Sequence, residues 1–208
     1  MNPDPALLDI DHLDSTVLEF LADRIARLGV EGSGAGEYYE IRVRIGCGLI
    51  SYERPLLEHL RTRPRVFHVG IGFGTLTAAL SACGVPCIGF ECHPLRVAGA
   101  LELSALMGSY EIREGLFPDT LKPDEESHAA TLLFTNLGAG ADGAAQRAMI
   151  DTFPRFSSVI LDLRLFGEVR DDPDARAQLR AEIESRGFVG RDIPTWPQNF
   201  FVDFVPAG

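Results

Sequence analysis

Apolar positions along the chain follow two different periods, and the switch between them divides the sequence. Within residues 6 to 30, Ile10, Leu13, Val17, Leu21, Ile25 and Leu28 recur at three- and four-residue steps, the stripe of one amphipathic helix. The stripe stops at Glu31-Gly32-Ser33-Gly34-Ala35-Gly36, where alternate glycines leave the backbone little stiffness. Because Glu37-Tyr38-Tyr39-Glu40 and the Arg42/Arg44 pair follow directly, this stretch reads as the hinge of a mobile lid. A second helix is predicted over 55–61. Beyond residue 63, short β-branched and aromatic runs take over near 65–70, 86–90, 110–114, 130–135 and 157–162. Helices over 94–107 and 172–186 punctuate them, the latter with Leu179 and Ile183 on one face. Phe188 and Val189 open a sixth strand, and 200–205 forms the last, after Pro194 and Pro197. Strands alternating with helices specify an α/β fold whose mostly parallel sheet is covered on both faces.

The chemistry concentrates in Arg65 to Glu91, RVFHVGIGFGTLTAALSACGVPCIGFE. This segment reads as strand, glycine turn, helix, strand and carboxylate. Gly70, Gly72 and Gly74 allow a sharp turn and close approach of a ligand to the backbone. Glu91 follows Gly70 by 21 residues, at the end of the second strand, where a carboxylate can accept from two ribose hydroxyls. The dinucleotide fingerprint requires Gly or Ala at a third position, which here is Thr75; the spacing is G-x-G-x-G instead. The alternative is a glycine turn that merely closes a βαβ unit.

The G-x-G-x-G turn, Glu91 and the Cys92-His93-Pro94 turn into the next helix resemble class I S-adenosylmethionine-dependent methyltransferases over about 140 residues. That resemblance implies a doubly wound, seven-stranded sheet with an antiparallel last strand, preceded by N-terminal helices. It divides the chain into a helical and lid segment, 1–62, and a cofactor-binding α/β domain, 63–208, forming one compact unit. It implies S-adenosylmethionine as cofactor, with Glu91 on the ribose, Gly70, Gly72 and Gly74 beneath the methionine part, and Cys92 beside them. His68 stands where the family has an acid, and is either a contact to the methionine end or a satisfied core histidine. Leu116 occupies the usual adenine-reading acidic place, so backbone near Leu116 and packing by Phe117 would serve adenine, unless Phe117 is plain core. Asn136 after strand four would touch substrate or the methionine moiety, or else form a turn. Asp162 is a candidate general base, or the partner of Arg164 or Arg170. Tyr38 is assigned to the cofactor; Tyr39, Arg42 and Arg164 are assigned to the substrate, with a solvated charged strand as the alternative for Arg42. Trp196 would rim the substrate side or plug the last two strands.

Composition narrows the acceptor. The chain has 208 residues, 46% hydrophobic, and a formal net charge of −11. An acidic surface is a poor match for a phosphate backbone, so a small molecule is expected rather than nucleic acid, as the absence of an N-P-P-Y motif also argues. No apolar run reaches the ~18–20 residues of a membrane span, and the acidic N-terminus is not a secretory signal, so the expected location is the cytoplasm. Cys47, Cys83, Cys87 and Cys92 form no C-x-x-C pair, and read as reduced and buried. A zinc set of Cys83, Cys87, Cys92 and His93 is the weaker alternative, and no metal is expected. The expected activity is methyl transfer to an oxygen or nitrogen nucleophile, leaving S-adenosylhomocysteine. Aminocarboxypropyl transfer or self-cyclisation releasing methylthioadenosine, and a silent nucleoside-binding protein, are the other readings. The sequence leaves monomer and homodimer open.

Overall fold

A computed structural model describes residues 9–28, 34–123, 127–135, 143–164, 172–195 and 200–208. Seven helices and seven strands are described: α1 (Ile10–Leu28), α2 (Gly34–Arg44), α3 (Glu53–Leu60), β1 (Val66–Val69), α4 (Thr75–Ala82), β2 (Cys87–Glu91), α5 (Pro94–Met107), β3 (Glu111–Glu114), β4 (Thr131–Phe134), α6 (Gly143–Thr152), β5 (Ser158–Asp162), α7 (Pro173–Ser185), β6 (Phe188–Asp192) and β7 (Phe201–Pro206). The strands form one sheet in the order β3-β2-β1-β4-β5-β7-β6. The first five are parallel, and β7 inserts antiparallel between β5 and β6. The order reverses at β1, the place where open α/β sheets bind ligands at the carboxyl ends of their strands.

Side-chain alternation splits the core into two layers. Val66, Leu133 and Ile160 point to the α4 face and join Leu13, Val17 and Leu21 of α1 and Leu56, Leu57 and Leu60 of α3. Phe67, Val69, Leu132, Phe134, Val159 and Leu161 point the other way, onto Met149 and Ile150 of α6 and Leu179 and Ile183 of α7. The N-terminal helices therefore share the interior of the sheet. By the same parity Glu91 lies on the α4 face with Cys87 and Gly89, as do His68 and Asp162. Among the described residues no helix is long and apolar enough to cross a membrane.

Residues 34–44 depart from the expected mobile lid. They form α2, with Tyr39 and Arg42 buried. The glycines that read as a flexible hinge stand at the helix start, and tertiary packing of the two buried side chains outweighs their weak propensity. Residues 31–33 lie outside the described residues. Helix α6 is a further element that its weak apolar pattern did not announce.

Candidate cofactor site

The register Val69↔Phe90 between β1 and β2 leaves Glu91 one step beyond the last pair, level with the glycine turn. Gly70 and Ile71 donate to the Phe90 carbonyl at 2.9 and 3.3 Å, and Gly74 donates to the Ile71 carbonyl at 2.8 Å. Gly70, Gly72 and Gly74 all have positive φ (74°, 59° and 76°), the conformation that β-carbons disfavour. Glu91 Oε2 accepts the Gly72 N–H at 2.9 Å, while Oε1 accepts those of Cys92 and His93, both at 3.0 Å. A carboxylate offers about four acceptor positions. Three are thus taken by backbone, leaving roughly one on Oε2. That leaves room to accept from one hydroxyl, where two were expected.

Tyr39 closes the other side of the turn. Its hydroxyl accepts the Phe73 N–H at 3.1 Å, and its ring stacks on Phe73 with centroids 4.2 Å apart. A β-carbon on Gly72 would collide with that hydroxyl. Hence the space at Gly72 that was expected to face the cofactor faces Tyr39. Tyr38, by contrast, lies edge-on to Tyr39 and shares a hydrogen bond with Tyr52; burial raises its phenol pKa. The tyrosine at the turn is Tyr39, assigned beforehand to the substrate.

Arg42 meets an internal anion in place of the expected substrate carboxylate or solvent. Its guanidinium pairs with Glu53 Oε2 at 3.0 Å and donates to the Gly48 carbonyl, and both partners of the ion pair are buried. Glu53 Oε2 also accepts the Ile50 N–H at 2.9 Å, and its Oε1 accepts the Thr75 hydroxyl at 2.6 Å. Thr75 is the first residue of α4, so Glu53 places a negative charge beside the positive end of that helix. Sequence reasoning missed Glu53, because a glutamate opening a helix reads as solvated unless its partner across the fold is known.

His68 is a satisfied interior histidine. Its Nδ1 lies 2.7 Å from Thr77 Oγ1 and its Nε2 2.6 Å from Thr135 Oγ1, a bridge from β1 to α4 and to the end of β4. Burial lowers its pKa to about 3, so the ring is neutral. No fixed charge stands where the family has its acid.

Phe117 is core: it packs edge-on to Phe90 and Phe134, at 5.2 and 5.7 Å. Leu116 beside it is 64% exposed. The following turn is anchored by the Gly115 N–H on the Glu91 carbonyl at 3.0 Å, so Leu116 and exposed Cys92 flank Glu91 at the sheet edge. An adenine lying there would cover Leu116 and not Phe117.

At the other end Asp162 is buried and engaged with Arg164, which bonds it through the backbone N–H and Nε, each at 2.9 Å. This raises the Arg164 pKa. The guanidinium also lies over Phe200, 4.0 Å from its centroid. Asp162 is thereby an ion-pair partner, and the general-base assignment gives way to the Arg164 alternative. From β2 to β5 is three strand spacings, roughly 14 Å, enough for a nucleoside, a sulfonium and a small acceptor. Asn136, Arg170 and Trp196 lie outside the described residues. The zinc set does not assemble, because Cys87 and Cys92 stand at opposite ends of β2, about 16 Å apart. Of the cysteines, Cys87 is buried, whereas Cys92 is exposed and Cys47 and Cys83 are partly so.

No protein-family model and no curated protein matches the sequence. Solved structures do match. An S-adenosylhomocysteine-bound Podospora anserina methyltransferase, PaMTH1, is similar with a TM-score of 0.62 at 13% identity, covering 92% of this chain and 87% of that one. A TehB-like S-adenosylmethionine-dependent methyltransferase from Corynebacterium glutamicum gives 0.58 at 14% identity, covering 83% and 96%. A candidate RNA methyltransferase from Pyrococcus horikoshii gives 0.53 at 14% identity, covering 75% and 83%. The chain has the fold of class I S-adenosylmethionine-dependent methyltransferases.

Proposed function

We propose that the protein is an S-adenosylmethionine-dependent methyltransferase acting on an oxygen or nitrogen nucleophile of a small molecule. The observation that carries this reading is Glu91: a carboxylate at the switch point of the sheet, bonded to the glycine turn and retaining an acceptor position for a ribose hydroxyl. Exposed Leu116 and Cys92 offer an apolar edge for adenine. A second observation weighs against dinucleotides. Their fingerprint takes Gly or Ala at the position of Thr75, and here the Thr75 hydroxyl is held inward on Glu53, whose charge is met by Arg42.

When bound, the cofactor supplies an electrophilic methyl on sulfonium. The chain's part is to hold the ribose on Glu91, to fix the turn through Tyr39, and to present the acceptor in line near the ends of β4 and β5. Alignment of this kind can supply much of the rate without a strong base. That accords with an Asp162 engaged by Arg164. RNA is the rival acceptor class, by the name of the Pyrococcus neighbour; the net charge of −11 favours the small molecule.

Calorimetry with S-adenosylhomocysteine and with NAD tests the reading: micromolar binding of the first and none of the second is expected. Preferential NAD binding would overturn it. Mass analysis after incubation with S-adenosylmethionine and an acceptor library then separates S-adenosylhomocysteine, from methyl transfer, from methylthioadenosine, the sign of aminocarboxypropyl chemistry.

A further inference from the structure

Helix α5 is largely apolar on its outward face as well as on its buried one. Val97, Ala100 and Leu103 are buried against the body, yet Leu95, Leu101 and Leu106 are 50%, 55% and 66% exposed, with Ala98 and Ala105 exposed between them. At 100° per residue these five share one outward face about three turns long. The single charge on that face, Glu102, is already paired with Arg24 at 3.0 Å and Arg27 at 3.1 Å. A helix without a polar face belongs in an interior.

We infer that a second copy of this chain covers it, α5 packing antiparallel on its mate about a two-fold axis. Two features select that occupant. The chain carries a net charge of −11, so two copies repel over most of their surfaces; here the one carboxylate is neutralised within its own chain. The face is also self-complementary. An axis passing between Ala98 and Leu101 sets Leu101 against Ala98 of the partner subunit, and the reverse. At the axis a large side chain thus meets a small one, with Leu95 and Leu106 flanking the contact. The patch amounts to roughly 400 Å² a side. Doubled, that falls short of the ~1,200 Å² of a standard interface, so the dimer is weak and forms at micromolar concentration.

Sedimentation velocity from about 1 to 100 µM, the range for an interface of this size, tests the inference. The mass should rise from 22.7 kDa towards twice that value, and rise further in high salt, where like-charge repulsion is screened. Leu101→Glu and Ala98→Glu should stay at the monomer mass with unchanged circular dichroism and melting, since both positions face solvent. A wild-type chain that is monomeric throughout would overturn the proposal. So would association undiminished in both variants, or a monomer that instead co-sediments with neutral phosphatidylcholine vesicles.

Discussion

Glu91 and Gly72 are joined by a 2.9 Å hydrogen bond that ties the end of β2 to the turn after β1. One carboxylate thus sets the shape of the turn and keeps an acceptor position beside it. Replacing it with alanine removes both. Glu91→Ala should weaken S-adenosylhomocysteine binding by about 1.5–3 kcal/mol, the range for hydrogen bonds to a charged group. It should also lower the melting temperature, because three backbone N–H groups lose their partner. Calorimetry and thermal melts read the two effects separately. Unchanged affinity in a folded variant would mean that the ribose is held elsewhere.

Hydrogen exchange should find α2 protected without ligand. Tyr39 and Arg42 are buried there, and the Tyr39 hydroxyl is bonded to the turn, so the amides of 38–42 open only with the local packing. Addition of S-adenosylhomocysteine should slow exchange chiefly at 70–74. Fast exchange at 38–42 that slows only with ligand would restore the lid expected from the glycines.

The strands and α5 were legible because each carries its own signal. Residues 94–107 are bounded by Pro94 and Gly108, and β1, β4 and β5 are short, mostly apolar runs that are buried throughout. Glu91 was legible because its distance from Gly70 is fixed by one helix and one strand. Helix α2 was not, for its reason lies 11 residues away in Glu53. Nor was the role of Tyr39, set by a contact 34 residues distant. Local spacing carries elements; pairings between elements require the fold. The antiparallel direction of β7 came from resemblance rather than from pattern, and its place between β5 and β6 required the fold.

Stability should fall in mild acid on account of His68. Burial lowers its pKa to about 3 in the folded state against 6.5 for the free side chain, so between those values the unfolded chain binds the extra proton. The contribution is fully present above pH 6.5 and is lost as the pH drops towards 3, by up to about 1.4 kcal/mol per unit. Urea melts at pH 5, 6 and 7 on wild type and His68→Gln measure it. If the two slopes are identical, the ring is already charged or not interior.

The Arg42–Glu53 pair should behave as a buried couple. Arg42→Met strands a carboxylate among Thr75, Ile50 and apolar side chains, and should cost about 3–5 kcal/mol. Glu53→Gln alone should be similarly damaging, since it strands the guanidinium. The double variant should recover part of the loss, because no uncompensated charge remains. Strict additivity in chemical denaturation would place the two groups in separate, solvated environments.

Gly72 should be intolerant of a side chain for a reason that a second glycine can isolate. At both Gly72 (φ 59°) and Gly84 (φ 82°) the backbone is left-handed, but a β-carbon at 84 meets nothing within 4 Å, whereas at 72 it collides with the Tyr39 hydroxyl. Gly84→Ala therefore reports the conformational cost alone, about 1 kcal/mol. Gly72→Ala should cost that much plus the displacement of Tyr39 from the Phe73 N–H, a further ~1–3 kcal/mol for a buried donor left unpaired. Tyr39→Phe removes the colliding oxygen, so on that background the penalty at Gly72 should shrink towards the Gly84 value. The measurement is a double-mutant cycle in urea, with Gly84→Ala as the control. Equal costs at 72 and 84 in the wild-type background would show that Tyr39 does not press on the turn, and the turn would then owe its shape to Glu91 alone.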